Sequence, residues 1–146
     1  MTDPYLHAAY LQAVASLQEG GIPIGSVLVI GDEIVGRGHN RRVQQGSAIL
    51  HAEMDAIERA GRLPGSAYRS ATLYSTLSPC DMCSGTALLY GIGRIVIGEH
   101  QTFQGPEEYL RSRGVMVTVV GDSACVDLME RFIADHPDLW DEDIGV

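Results

Sequence analysis

The hydrophobic positions of the chain change period several times, and each change marks an element. Leu6, Ala9, Tyr10, Ala13, Val14 and Leu17 recur at helical spacing, and Gly20-Gly21 ends the run. This predicts an opening helix with one face packed on a sheet. Ile24 to Ile30 is apolar and β-branched, Gly31-Asp32 is a turn signal, and Ile34-Val35 starts a second strand that ends near His39-Asn40. Together they predict a hairpin. Gln44 to Ser47 reads as loop. A helix is expected from close to His51 to Ala60, with Gly61 as its C-terminal stop. Ala71 to Thr76 predicts a strand. Ser78 is then placed to cap a helix whose first position suits Pro79, and Gly91 to Gly93 breaks that helix.

Ile95-Val96-Ile97 and Val115 to Val120 predict two more strands, separated by a loop with Phe103 and a short helix around Glu107 to Arg113. A last helix carries Cys125, Leu128, Met129 and Phe132 at helical spacing. Asp135 to Val146 reads as an acidic tail with the only tryptophan, Trp140. Strands alternating with helices after the hairpin predict an α/β protein, a three-layer α/β/α sandwich with a central five-stranded mixed sheet. No internal repeat or low-complexity stretch interrupts it, so residues 1–146 are expected to form a single domain.

The composition, 45% hydrophobic and 20% charged, is that of a globular chain and removes disorder from consideration. A formal net charge of −9 repels phosphate backbones, which weighs against a long nucleic acid as partner. Arg37, Arg41 and Arg42 cluster, but read first as a solvated loop. No basic leader with an apolar core and no membrane-spanning apolar run is present. With three cysteines, two of them spaced as a ligand pair, a disulfide framework is not expected. A reduced, cytoplasmic protein without membrane attachment is the expectation.

The chemistry is concentrated in His51-Ala52-Glu53 and Ser78-Pro79-Cys80-Asp81-Met82-Cys83. One imidazole and two thiolates can hold a zinc ion, and three protein ligands leave a fourth tetrahedral position for water. His-x-Glu with a later Pro-Cys-x-x-Cys is the pattern of zinc deaminases, in which the glutamate is acid and base rather than ligand. Cys80 and Cys83, three apart, share one helical face near a helix N-terminus, which favours thiolate. In regular helix, residues two apart point about 200° from each other, so His51 and Glu53 are not expected to share a face. The competing reading is a structural zinc site, whose fourth ligand would come from His39, His100, Cys125 or His136. Glu53 favours catalysis, because a structural site has no use for a carboxylate there. Cys125 falls in an apolar helical stripe and reads as core.

The resemblance is wider than the motif. Gly36-Arg37-Gly38-His39-Asn40, His51-Ala52-Glu53, Thr72 through Cys83, and Trp140-Asp141-Glu142-Asp143-Ile144-Gly145 resemble the fungal-type cytosine deaminases of the cytidine deaminase-like superfamily. Two positions depart: Ala52 stands where that family commonly has glycine, and Asp141 where it commonly has an aromatic residue. The resemblance implies one catalytic Zn²⁺ per chain on His51, Cys80 and Cys83, with Glu53 shuttling protons. It implies hydrolysis of free cytosine to uracil and ammonia. By the same similarity, the Asn40 side chain and the Ala52 N–H hold the ring oxygen O2, and the Ser78 carbonyl meets the leaving amine. Asp143 accepts from N1–H, while Ile24, Leu77, Phe103 and Trp140 enclose the ring. The tail from Pro137 becomes a lid, and a homodimer is implied. The alternatives are the same chemistry on guanine, a pterin or another aminopyrimidine, adenosine in tRNA, or a zinc-stabilised binding module.

Overall fold

The chain reverses at Gly31, whose φ of 61° suits glycine. The turn joins β1 (Gly25–Ile30) to β2 (Glu33–His39) as an antiparallel hairpin, with a register irregularity between Leu28 and Val29. In the computed structural model, which describes residues 1–146, the sheet goes on through β3 (Thr72–Leu77), β4 (Arg94–Glu99) and β5 (Met116–Val119). The spatial order is β2-β1-β3-β4-β5. β1 is antiparallel to both neighbours, while β3, β4 and β5 are mutually parallel. This is the five-stranded mixed sheet expected. The helices are α1 (Pro4–Gln18), α2 (Arg42–Gln45), α3 (Ala52–Ala60), α4 (Gly65–Arg69), α5 (Asp81–Leu89), α6 (Glu107–Ser112), α7 (Ser123–Asp135) and α8 (Pro137–Asp143).

Alternation along the strands sorts the core into layers. Leu28, Leu73, Ile95 and Ile97 face Ala87 of α5 and Leu110 of α6. Val27, Val29, Tyr74 and Val96 face Leu6 and Ala9 of α1. Each such Leu or Ile side chain contributes about 1.5–3 kcal/mol by leaving water. A third cluster of Ile22, Ile24, Leu77, Met129, Phe132 and Trp140 closes the end of the sheet where β3 finishes. The candidate site lies under that cluster.

Glycines let helix backbones lie directly on the hairpin. A Cβ on Gly38 would sit 2.3 Å from Ala56 N and 2.7 Å from Ala52 O. The missing side chain at Gly38 therefore sets how deeply the start of α3 sits against β2.

Several elements differ from expectation. The Gln44 to Ser47 loop begins inside α2, a single turn, and α4 has no counterpart in the hydrophobic pattern. β1 starts at Gly25, one residue after Ile24. Within the acidic tail, residues 137–143 form a helix that the pattern did not predict, with Pro137 at the first position and Trp140 and Asp143 buried. Helix α5 starts at Asp81 with Cys80 as its N-cap residue, so Ser78 caps nothing; its hydroxyl donates to Glu107 instead. Arg41 and Arg42 are not a solvated loop either. Arg41 Nε donates to Asp55 at 2.9 Å, and Arg42 Nε to the Ala48 carbonyl at 3.1 Å.

Two alanine substitutions should separate these effects in denaturant melts of the zinc-loaded protein. Gly38→Ala should cost more than about 2 kcal/mol, because the new methyl meets helix backbone that cannot yield. Gly85→Ala, on an open face of α5 with nothing within 4 Å of the added carbon, should stabilise by roughly 0.5–1 kcal/mol.

Candidate active site

Two chain turns meet at one end of the sheet, and each ends in a metal-type donor. His51 immediately precedes α3, with φ −68° and ψ 164°, and its side chain makes no cap bond to its own helix. Cys80 stands in the same relation to α5, with φ −70° and ψ 179°. Cys83, one turn further along α5, is fully buried. The ligand atoms of His51, Cys80 and Cys83 all lie within 4.8 Å of one another. Nδ1 of His51 is 3.5 Å from Cys80 Sγ and 3.8 Å from Cys83 Sγ.

Those separations match zinc. Bonds of about 2.0–2.1 Å to nitrogen and 2.3 Å to sulfur at a tetrahedral angle place N and S about 3.6 Å apart. The other nitrogen of His51, Nε2, lies 3.4 Å from Asp143 Oδ1. A carboxylate on the far side of a ligating imidazole fixes the ring and its tautomer. The side chains considered as a fourth ligand are engaged elsewhere. His39 lies between Gln12 and Glu19, each at 2.9 Å, and His100 lies 3.1 Å from Glu107. Cys125 is buried against Gly98, and His136 packs on Phe132. The three donors therefore form an open set.

Glu53 is buried at the same place, and it lines one cavity together with His51 and Cys80. The helical-wheel separation of His51 and Glu53 supposes that both residues are helical. His51 has extended backbone before the helix begins, so the 100° step does not apply to it. Burial pushes the Glu53 carboxyl up to about 7, against the pull of His51. Burial works against a charged His51 ring, but Cys80, Asp143 and Glu53 outweigh it and raise the ring to about 9. Its bond with Cys83 brings Cys80 down to about 4, with His51 assisting, while Cys83 is pushed well above the usual thiol range by Cys80 and burial. Before a metal binds, the pair is one thiolate and one thiol beside an imidazolium.

Ile24, Leu77, Ser78, Phe103, Trp140 and Asp143 line this cavity as well. Phe103 and Trp140 meet edge to face, 6.0 Å apart at 85°. Asn40 and Ala52, both fully buried, stand behind the lining. Asn40 Nδ2 donates to Asp143 Oδ1 at 2.8 Å, and Arg42 N donates to Asn40 Oδ1 at 3.0 Å, which fixes the amide's orientation. Burial raises the Asp143 carboxyl, with His51, Asn40 and Arg42 opposing.

Sequence reasoning missed four contributors. Ile144 completes the lining, and once residues 137–143 are helical its i+4 relation to Trp140 is the signal. Arg42 approaches Asp143 at 4.0 Å. Asp55 accepts from His39 N, Arg41 Nε and Arg59 Nε and so ties the end of β2 to α3. Glu107, fully buried, holds Ser78 Oγ at 2.7 Å. The last two carried no signal beyond being acids in a helical first turn.

Comparison with known proteins agrees with the geometry. Residues 2–99 match the family described as the cytidine and deoxycytidylate deaminase zinc-binding region. The chain is 52% identical over 141 residues to a cytosine deaminase of Candida albicans, covering 96% of this chain and 94% of that one. It is 42% identical over 105 residues to a tRNA-specific adenosine deaminase of Streptococcus pyogenes, covering 70% of this chain and 66% of that one. A solved guanine deaminase from Nitrosomonas europaea superposes with a TM-score of 0.74 at 20% identity, over 92% of this chain and 86% of that one, a likeness of fold.

Loading zinc into the stripped protein at pH 7 should release about two protons per ion, one from His51 and one from Cys83, since both are protonated there without metal. Apparent zinc affinity should therefore rise with pH from about 7 towards 9. Calorimetry in buffers of different ionisation enthalpy counts the protons, and a pH-independent affinity would contradict these charge states.

Proposed function

We propose that this chain, which belongs to the cytidine and deoxycytidylate deaminase zinc-binding family, hydrolyses free cytosine to uracil and ammonia. The observation that carries the reading is Glu53. It is a buried carboxyl held near neutrality beside an open His51–Cys80–Cys83 donor set, where a proton must be both taken and returned. A structural metal site has no use for such a group. The 52% identity to a cytosine deaminase supports cytosine as the ring.

His51, Cys80 and Cys83 would hold the zinc. When bound, it supplies Lewis acidity and brings the pKa of a water to near neutrality. Glu53 accepts the proton of the attacking water and delivers it to ring N3, which makes C4 more electrophilic. A second proton passes to the exocyclic nitrogen, which departs as ammonia. Burial raises Glu53 before zinc binds, which favours its returning a proton as well as taking one.

The remaining side chains orient the ring. One hydrogen of Asn40 Nδ2 is engaged by Asp143, and the second is the donor we assign to O2. Ala52 N–H is among the first N–H groups of α3, which lack partners inside the helix, and joins it there. The Ser78 carbonyl receives the leaving amine. Asp143 accepts from N1–H, which a free base has and a nucleoside lacks. A ribose at that point would deny the buried carboxylate this one donor, although Asn40 stays bonded to it, and would clash, so the site selects the base. Ile24, Leu77, Phe103 and Trp140 sandwich the ring, and α8 acts as the lid.

We carry three further points with this reading. Residues 1–146 work as one catalytic unit, supported by the continuous sheet. The setting is the reduced cytoplasm, with pyrimidine salvage as the role, supported by Cys80, Cys83 and Cys125 all being free thiols. The protein is a homodimer, supported by the family resemblance and by Leu89 and Tyr90 standing in solvent at the end of α5.

Loss of cytosine absorbance with release of ammonia by the zinc-loaded protein tests the activity directly. A panel of free bases, with guanine and an aminopyrimidine included, should show cytosine as the preferred substrate. Zinc-loaded protein that leaves cytosine untouched would remove the reading. Glu53→Gln should lower kcat by about 10²–10⁴-fold while zinc content and the melting curve hold. Asp143→Ala should weaken cytosine turnover and also narrow the preference for cytosine over cytidine.

A further inference from the structure

We infer that Glu107 is a positioning residue of this site: through the hydroxyl of Ser78 it locks the loop that carries Phe103 onto the turn that leads into Cys80. Glu107 is 1% exposed, at the start of a short helix, and no arginine pairs with it. A buried carboxyl is costly unless its oxygens are hydrogen-bonded. Its partners are Ser78 Oγ at 2.7 Å and His100 Nδ1 at 3.1 Å.

The Ser78 hydroxyl has one hydrogen, and it goes to Glu107. Its lone pairs are thereby turned towards Gly105 N–H, which donates to it at 3.0 Å. Ser78 N–H in turn donates to the Glu99 carbonyl at 3.1 Å. One serine thus grips both ends of the segment from Glu99 to Glu107. The near end of that segment is tied a second time, because the Glu99 carboxylate accepts from Gln101 N at 2.6 Å, from Thr102 N at 2.9 Å and from the Thr102 hydroxyl. Phe103 lies between the two ties and presses edge to face on Trp140. Gly105 lies so close to the Pro79 carbonyl that a Cβ there would be 1.8 Å from it. The cavity wall, the Ser78 carbonyl and the Cys80 turn are therefore one assembly, and Glu107 is the acceptor that fixes its polarity.

The inference takes from the deaminase reading only what the site does; the clamp itself is geometric. Its test uses two readouts. The first needs neither zinc nor substrate: acrylamide quenching of Trp140, the single tryptophan, which Phe103 shields. Ser78→Ala and Glu107→Asp should raise the quenching constant severalfold, the first by deleting the link and the second by shortening it by one methylene while keeping the acid. Glu107→Gln keeps an acceptor oxygen at the right length and should quench like the wild type. The second readout is turnover. Ser78→Ala and Glu107→Asp should lower kcat by about tenfold to a hundredfold with zinc content intact, and Glu107→Gln by less than about threefold. If both disruptive variants keep Trp140 as shielded as in the wild type, or keep wild-type kcat while merely melting earlier, the clamp is overturned. A wild-type protein inactive on cytosine would defeat the proposed reaction instead, and the quenching result would still decide the clamp.

Discussion

Everything at the candidate site depends on bringing two unrelated chain turns to within bonding distance of one ion. His51 and Cys80 each stand at the N-cap of a helix, and neither uses its side chain as a cap. Forgoing a good cap costs a helix about 1 kcal/mol. Both helices accept that cost because the side chains are turned away, towards each other and towards Cys83. What makes this tolerable is the framework behind them. β2 with its small Gly38 seats α3, and Leu73, Ile95 and Ile97 of the sheet seat α5 through Ala87. Three donors are then held at metal-like spacing by the sheet.

Asp143 joins the ends of the chain to that arrangement. It comes from the last helix, yet it meets Asn40 from the end of the hairpin and His51 from the start of α3. The residue that fastens the last helix to the hairpin thus also stands 3.4 Å from a metal-type donor. The placement of α8 and the surroundings of the His51 ring are therefore coupled through one carboxylate.

Much of this was legible in the residues, and the physical reasons are specific. The periodicity of Leu6 to Leu17 and the β-branched run up to Ile30 reflect burial on one face and on two faces, so helix and strand could be told apart. The His51, Glu53, Cys80 and Cys83 set was legible because zinc chemistry restricts both residue type and spacing. The failures have another character. Ser78 looked like a helix cap because serine favours the N-cap and proline the first helical position. Its hydroxyl is taken by Glu107, 29 residues away, and no local pattern reports such a partner. Arg41 and Arg42 looked solvated for the same reason, since Asp55 and Asp143 come to them only in the folded chain. The tail read only as acidic because its charged face hides a short apolar one, Leu139, Trp140 and Ile144, that only the cluster beneath it makes meaningful.

The contact between Gly105 and the Pro79 carbonyl limits how the cavity wall can be redesigned. Two stretches of main chain lie against each other there with no side chain between them. An insertion or deletion between Phe103 and Gly105 would therefore press on the cysteine turn rather than be absorbed within the loop. Exchanging the side chains of Phe103 or Trp140, which meet edge to face in the lining, reshapes the wall while leaving that main-chain contact in place.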